Sequence, residues 1–220
     1  MTEAVFLATV AFVLGALLAG VRRAEPRWLP YTALCGIGWL GFTAALAASG
    51  WLGEFDRRPP HFFVLMLPTA LATLVLAFSP FGARLGGRIG WPALIGFQVF
   101  RLPVEWVLAS LGGAGVAPAQ MTFHGWNFDV LTGLSAPLVA WLAGQNRLGM
   151  RGLVAWNVLG LALLANVVTI AILSTPTPLR VFTNEPANTF VTASPWVWLP
   201  AFLVPAALFG HLLAFRKLRS

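Results

Sequence analysis

Long apolar runs are the feature of this sequence that most constrains its fold. A transmembrane helix needs about 20 mostly apolar residues, with about 17–25 as the usual range. Seven runs approach that length: Ala4–Gly20, Leu29–Ser49, Phe62–Phe78, Trp91–Leu111, Val130–Gly144, Leu153–Leu173 and Trp196–Phe215. The fifth run has only 15 residues, and we expect it to cross a bilayer only if residues 127–129 enter the interface. The pattern predicts an all-α, polytopic integral membrane protein with seven transmembrane helices in one domain, residues 1–220.

The composition supports this prediction and excludes several other classes of protein. Hydrophobic residues make up 58% of the chain, charged residues 10%, and the mean hydropathy is +0.80. Ordinary globular domains are about 45–50% apolar and about 25% charged, which excludes a soluble enzyme, a nucleic-acid-binding protein and a disordered chain. The net charge of +7 therefore indicates arginine retained on the cytoplasmic side of a membrane, and we expect no nucleic-acid partner.

The distribution of basic residues predicts the orientation of the spans. With seven spans and the amino terminus outside, ten basic residues lie on the inner side: Arg22, Arg23, Arg27, Arg84, Arg88, Arg147, Arg151, Arg216, Lys217 and Arg219. Only Arg57, Arg58 and Arg180 lie outside. Omitting the fifth span would place the basic carboxyl terminus outside, against the positive-inside rule. Basic residues follow the first run and none precedes it, so we do not expect it to be a cleavable signal peptide. We predict a multi-pass protein of the cell inner membrane with a cytoplasmic carboxyl terminus.

One polar stripe lies within the fourth predicted span. Gln98, Arg101 and Glu105 fall within an arc of roughly 60° on a helix that turns about 100° per residue. An unpaired arginine near mid-bilayer costs at least about 2.5–3.5 kcal/mol, and Glu105, four residues further along, is expected to offset its charge. Pro103 is expected to kink the helix and free a backbone carbonyl. The stripe is either the floor of a ligand pocket or a structural lock between helices.

A second polar segment, residues 120–129, leads into the fifth span. Its aromatic residues alternate with His124, Asn127 and Asp129, as in a re-entrant or interfacial segment. Asp129 could equally cap a helix. His124 could bind a ligand or carry a proton, since its ordinary pKa is about 6.5, although most loop histidines do neither. Asn166, in the outer half of the sixth span, either joins this site or bonds across helices.

Several chemistries have no support in the sequence. His61, His124 and His211 lack the spacing of metal ligands, and we expect His211 to lie at the membrane interface. Phosphate-binding glycine loops and nucleophile elbows are absent. Cys35, the one cysteine, lies in an apolar run, so we expect no disulfide. We predict no cofactor; haem could be held only through His61 and His124, whose spacing does not favour it.

Three functions remain open. The first is an outward-facing polar pocket that binds or translocates a small molecule, anionic or lipid-like. The second is a non-catalytic accessory or assembly subunit of a larger membrane complex. The third is an enzyme acting on a lipid, with His124 or His61 as base and Asp129 or Glu105 as its partner. The candidate ligand-binding residues are Gln98, Arg101, Glu105, His124, Asn127, Asp129 and Asn166.

Overall fold

The computed structural model describes residues 1–218, and in that range the chain is helical with no strands. We number its helices α1 (Thr2–Ala24), α2 (Leu29–Ala48), α3 (His61–Phe78), α4 (Pro80–Arg88), α5 (Trp91–Gly96), α6 (Arg101–Gly113), α7 (Val130–Gly144), α8 (Met150–Ser174) and α9 (Val204–Lys217). A 3-10 segment, Phe97–Phe100, joins α5 to α6, and a π-helical segment, Leu199–Leu203, leads into α9. The prediction of an all-helical chain is confirmed.

Six stretches are long and apolar enough to cross a membrane. They are Thr2–Ala24, Pro26–Ala48, His61–Phe78, Trp91–Gly113, Met150–Ser174 and Leu199–Lys217. Each matches one of the predicted runs, with bounds that differ by a few residues. The remaining run forms α7, which is shorter at 15 residues. Arg219, which entered the predicted inner set of basic residues, lies outside the described residues.

The segment between α3 and α5, which joins the third and fourth predicted spans, contains the short helix α4. Its first turn begins at Ser79, whose hydroxyl accepts a hydrogen bond from Gly82 N at 3.3 Å, as a helix-capping residue does. Arg216 of α9 donates to the carbonyls of Ala77 and Ser79, at 2.9 and 3.1 Å. Because the last carbonyls of a helix have no partner within it, these bonds tie α9 to the carboxyl end of α3.

Helix α7 packs antiparallel to the α5–α6 pair, and glycines set the close approach. Gly133 faces the start of α6, where an added Cβ would lie 2.9 Å from Leu102 N. An added Cβ on Gly144 would lie 3.3 Å from Pro92 at the start of α5. Later positions on α7 therefore face earlier positions on α5–α6. This arrangement brings the residues that precede α7 against the middle of α6.

The segment before α7 is irregular and partly buried, and it is held to its neighbours by hydrogen bonds. Gln120 joins it to the end of α8 and to the long loop that follows: its Nε2 donates to Ser174 Oγ at the end of α8, and its Oε1 accepts from Asn184 Nδ2 in the loop, both at 2.8 Å. Irregular backbone at membrane depth is tolerated where protein covers it and satisfies its polar groups. These bonds satisfy the Gln120 side chain and hold the segment against its neighbours at the end of the helix bundle where α6 and α8 end.

Candidate functional site

The centre of the polar site is the guanidinium of Arg101, at the first turn of α6. Its side chain is 2% exposed and makes a two-point ion pair with Asp129, from Nε to Oδ2 at 2.6 Å and from Nη2 to Oδ1. Nη1 lies 3.3 Å from Gly160 O and 3.0 Å from His211 Nε2, and Nη2 also reaches Gly160 O at 3.4 Å. A guanidinium has five N–H groups, and these contacts occupy all of them.

The predicted pairing of Arg101 with Glu105 is wrong. The carboxylate of Glu105 instead accepts from Asn127 Nδ2, at 2.9 Å to Oε1 and 2.7 Å to Oε2. Among residues 1–218, the ion pair of Arg101 is with Asp129. The reason is the antiparallel packing of α7 on α6. It brings the carboxylate of Asp129 to Arg101, and it brings the amide of Asn127 to Glu105.

Asn127 organises the loop side of the site. Besides bonding Glu105, its Nδ2 donates to Met121 O at 3.0 Å, and its Oδ1 accepts from Asp129 N at 3.0 Å. The last bond forms an Asx-turn, in which the side chain of Asn127 fixes the backbone at Asp129. Asp129 occupies the N-cap position of α7 but makes no capping bond through its side chain, since both oxygens face Arg101. The capping alternative for Asp129 is therefore not what the structure contains.

His211 and Asn157, which were not among the predicted site residues, belong to the hydrogen-bond network around Arg101. His211, expected at the interface, is 1% exposed inside the bundle, so that prediction is wrong. Its Nδ1 lies 2.8 Å from Asn157 Oδ1, and Asn157 Nδ2 donates back to His211 O at 3.1 Å. Arg101 can only donate, so His211 Nε2 accepts and Nδ1 carries the proton given to Asn157. The available signal was the presence of both polar residues within apolar runs.

Small residues make room for this network. A Cβ on Gly160 would lie 2.5 Å from His211 Cε1 and 3.0 Å from its Nε2. A Cβ on Gly210 would lie 2.7 Å from Gln98 Nε2. Gln98 itself donates to Ala207 O at 3.1 Å, which ties the α5–α6 junction to α9. It does not hydrogen-bond Arg101, with which it shared the predicted stripe.

The structure places three other histidine and asparagine candidates outside this network. His124 is exposed and packs its ring against Phe123, with 4.4 Å between ring centroids. Asn166 donates to Trp126 O at 2.8 Å and so ties α8 to the loop before α7. His61 stacks on Trp51 and lies 3.7 Å from Glu54. Within residues 1–218, neither His61 nor His124 hydrogen-bonds the carboxylates of the polar site.

The charged cluster lies at the inner end of an apolar cavity of about 230 Å³. Helices α3, α6, α8 and α9 form its walls, and Arg101, Glu105 and Asp129 are part of its lining. Leu67 and Ala70 of α3 also line it and are exposed, so the cavity opens at the surface of the bundle beside α3. Other apolar lining residues are Phe62, Met66, Leu108, Leu164, Val167 and Leu203.

Asn188, from the long loop after α8, reaches the same cavity. Its side chain is 1% exposed, and Nδ2 donates to Ala171 O at 3.0 Å and to Thr175 Oγ1 at 3.3 Å. Its Oδ1 is buried and has no hydrogen-bond partner among residues 1–218. Sequence reasoning did not single out Asn188, because only the folded loop carries it to the cavity.

The site contains no clustered metal ligands in the part of the chain that the structure describes. No group of three or more His, Cys, Asp or Glu residues lies together there. The polar side chains are ones that form ion pairs and hydrogen bonds, in a cavity whose walls are apolar.

The family to which this chain belongs is described as "Domain of unknown function (DUF8737)". The match covers residues 59–219, which is more than half of the chain. It includes α3 to α9 up to Lys217, every residue of the polar site and the whole cavity lining, and it leaves out α1 and α2. No curated protein and no solved structure matches the chain.

Proposed function

We propose that this member of the DUF8737 family binds a lipid-like molecule in the cavity between α3, α6, α8 and α9. The observation that carries the proposal is an apolar cavity whose mouth lies at an exposed apolar surface of α3 and whose lining includes a buried charged cluster. This is the first of the three functions considered from sequence, with the pocket entered from the side of the bundle. Of the seven residues predicted from sequence, Arg101, Glu105 and Asp129 line the cavity. Gln98, His124, Asn127 and Asn166 are not among its lining residues, whereas Asn188 is.

The apolar walls of the cavity favour a ligand that is mostly apolar. Apolar cavities of this kind stay free of water and accept apolar molecules, because burying apolar surface is favourable by about 25 cal/mol per Å². The exposure of Leu67, at 67%, places an apolar side chain at the mouth, next to the hydrocarbon. A molecule with an alkyl or isoprenoid body can therefore enter from the bilayer without crossing a polar barrier.

The membrane arrangement that accompanies this proposal has seven spans, with the amino terminus outside, in the cell inner membrane. It is supported by the antiparallel packing of α7 on α5–α6 and by the loop segment that adds to its length. The positive-inside distribution supports the orientation. Arg22 and Arg23 end α1, and Arg216 and Lys217 end α9, at the end of the bundle where α4 lies.

Filling the cavity tests the proposal. Ala171→Phe places a ring into the lining of the cavity, and Ala70→Phe does the same at its exposed mouth. Ala165→Phe, on an exposed position of α8 outside the lining, is the matched control. The protein is purified in mild detergent, its co-purified lipids are identified by native mass spectrometry, and thermal unfolding confirms that each variant is folded.

We expect the wild type and Ala165→Phe to retain a bound molecule, and Ala171→Phe and Ala70→Phe to lose it. Retention of the same molecule by both lining variants would overturn the proposal. Failure of Ala171→Phe to fold would leave Ala70→Phe to decide, since its new ring lies at the surface.

The second candidate, an accessory subunit of a larger membrane complex, is favoured by one observation. All five N–H groups of Arg101 are already bonded within the chain, as expected of a lock between α6, α7, α8 and α9. Solubilisation of native membranes followed by native gel electrophoresis separates the candidates. A complex of several different subunits, unaffected by Ala171→Phe, would favour the accessory role over ligand binding.

A further inference from the structure

We infer that the ligand of this cavity presents hydrogen-bond donors, as hydroxyl or ammonium groups, to Glu105 and to Asn188 Oδ1. The inference rests on the proposed function and names the chemistry of the polar groups on an otherwise apolar molecule. It replaces the wider expectation from sequence, which included an anionic ligand.

The charge balance among the lining residues of the cavity favours hydrogen-bond donors on the ligand. Two carboxylates, Glu105 and Asp129, lie beside one guanidinium, and Arg101 gives both ends of its two-point pair to Asp129. Glu105 receives only the amide of Asn127, which lies within hydrogen-bond distance of both carboxylate oxygens. Among the described residues, no Lys, Arg or His nitrogen lies within 4 Å of a Glu105 carboxylate oxygen, and the ion pair of Arg101 is with Asp129. A buried carboxylate that has no direct ion pair is costly, and a hydrogen-bond donor from the ligand would offset that cost.

The orphaned acceptor on Asn188 also favours hydrogen-bond donors on the ligand. Its amide orientation is fixed, because Ala171 O can only accept and must therefore face the Nδ2 group. Oδ1 is then the atom left without a donor, in a side chain that lines the cavity. A buried acceptor without a partner loses the free energy of a hydrogen bond that it would make in water. A hydroxyl or ammonium group of the ligand would restore that bond.

A ligand that presents hydrogen-bond acceptors to this end of the cavity would fit poorly. A carboxylate or phosphate on the ligand would need donors, and the strongest donor at the cavity, Arg101, has no N–H group left. The bonds that saturate Arg101 and the orphaned acceptor of Asn188 are separate observations, and both favour donors over acceptors on the ligand.

The test compares four probes that carry the same long alkyl chain: a primary amine, an alcohol, a methyl ether and a carboxylic acid. Each competes with a fluorescent apolar probe bound to the full-length protein in nanodiscs of zwitterionic lipid. A hydrogen bond to a buried unpaired acceptor is strong enough that we expect the amine and the alcohol to bind at least about tenfold more tightly than the ether and the acid. Binding of the acid as tight as that of the amine would overturn the inference.

The same competition separates failure of this inference from failure of the proposed function. Equal affinity for all four probes would leave an apolar binding site in place and overturn the donor preference. No saturable displacement by any probe, with protein that unfolds cooperatively, would overturn the proposed function and this inference together.

Two variants assign the preference to its acceptors. Glu105→Gln should reduce the ratio of amine affinity to ether affinity, and Asn188→Ala should reduce the ratio of alcohol affinity to ether affinity. Asn184→Ala is the matched control. Asn184 is in the same loop as Asn188 but does not line the cavity, and its substitution removes a hydrogen bond to Gln120. Unchanged ratios in both Glu105→Gln and Asn188→Ala would overturn the assignment. If a variant does not fold, the ranking of probes on the wild type decides.

Discussion

Arg101 and Asp129 face each other side-on across 28 residues of sequence, with Nε 2.6 Å from Oδ2 and Nη2 bonded to Oδ1. Both side chains are buried, at 2% and 6% exposure. The two-point contact fixes the rotation of α6 against the loop that starts α7. A pair in this position neutralises a charge that hydrocarbon cannot solvate, and it also fastens the two helices.

Removing one partner of this pair should be far more harmful than removing both. Arg101→Ala or Asp129→Ala leaves an uncompensated buried charge, and we expect a loss of about 3–5 kcal/mol of folding free energy. The double variant Arg101→Leu/Asp129→Leu should recover much of that loss. The measurement is unfolding in detergent, followed by intrinsic fluorescence, with the exposed Arg57→Ala as control. Single variants as stable as the control would contradict the structural role assigned to the pair.

Gly160 should not tolerate a methyl group. In Gly160→Ala the new Cβ would meet the His211 ring at 2.5 Å, and relief of that clash would separate α8 from α9. We expect a destabilisation of about 1–3 kcal/mol. Gly15→Ala is the matched control on α1, where nothing lies within 4 Å of the added atom, and its higher helix propensity should leave stability unchanged or raised. If Gly160→Ala were as stable to unfolding as Gly15→Ala, the His211 ring would be able to move at little cost, and the prediction would fail.

The seven-span arrangement makes a prediction about two exposed positions that flank α7. Cysteines are introduced one at a time as Val116→Cys and Gln145→Cys in a Cys35→Ser background. A membrane-impermeant maleimide added to intact cells should label Val116→Cys, and it should label Gln145→Cys only after permeabilisation. Labelling of both positions from the same side would mean that α7 does not cross the bilayer.

The loop after α8 should respond to acid through one exposed ion pair. Arg180, and then the backbone N–H of Ala187, lower the pKa of the Glu185 carboxylate by hydrogen bonding its charged form. The bonds therefore hold at pH values above the ordinary pKa of 4.5, and they are lost as the pH falls below that value through the lowered one. Limited proteolysis of the loop between pH 6 and pH 3 should show faster cleavage in acid.

The control for this response is Glu185→Gln, which cannot ionise. Its loop should be cleaved at a rate that varies little over the same pH range, apart from the protease's own pH dependence, which a reference peptide corrects. The same acid response in wild type and Glu185→Gln would assign the effect to another group.

Asn127 shows how far the site could be read from the sequence. Its residue type, its place before a short apolar run and its partnership with Asp129 in one polar segment were all visible from the order of residues. Its bond to Glu105 was not, because the helical spacing of Arg101 and Glu105 favours a local pair. A spacing of four residues shows which side chains can meet on one helix, but it carries no information about competition from a second helix.

The order of residues is sufficient to predict apolar helices and to show that Arg101 requires compensation. Both follow from local physics: apolar runs of sufficient length favour a bilayer, and a buried guanidinium must find acceptors. The identity of those acceptors depends on how the helices pack. Glycines let α7 approach α6 closely and let His211 lie against α8, and these contacts between distant segments selected Asp129, Gly160 and His211. The same packing left Asn188 Oδ1 unpaired in the cavity, because hydrogen bonding between segments depends on three-dimensional proximity that sequence order does not specify.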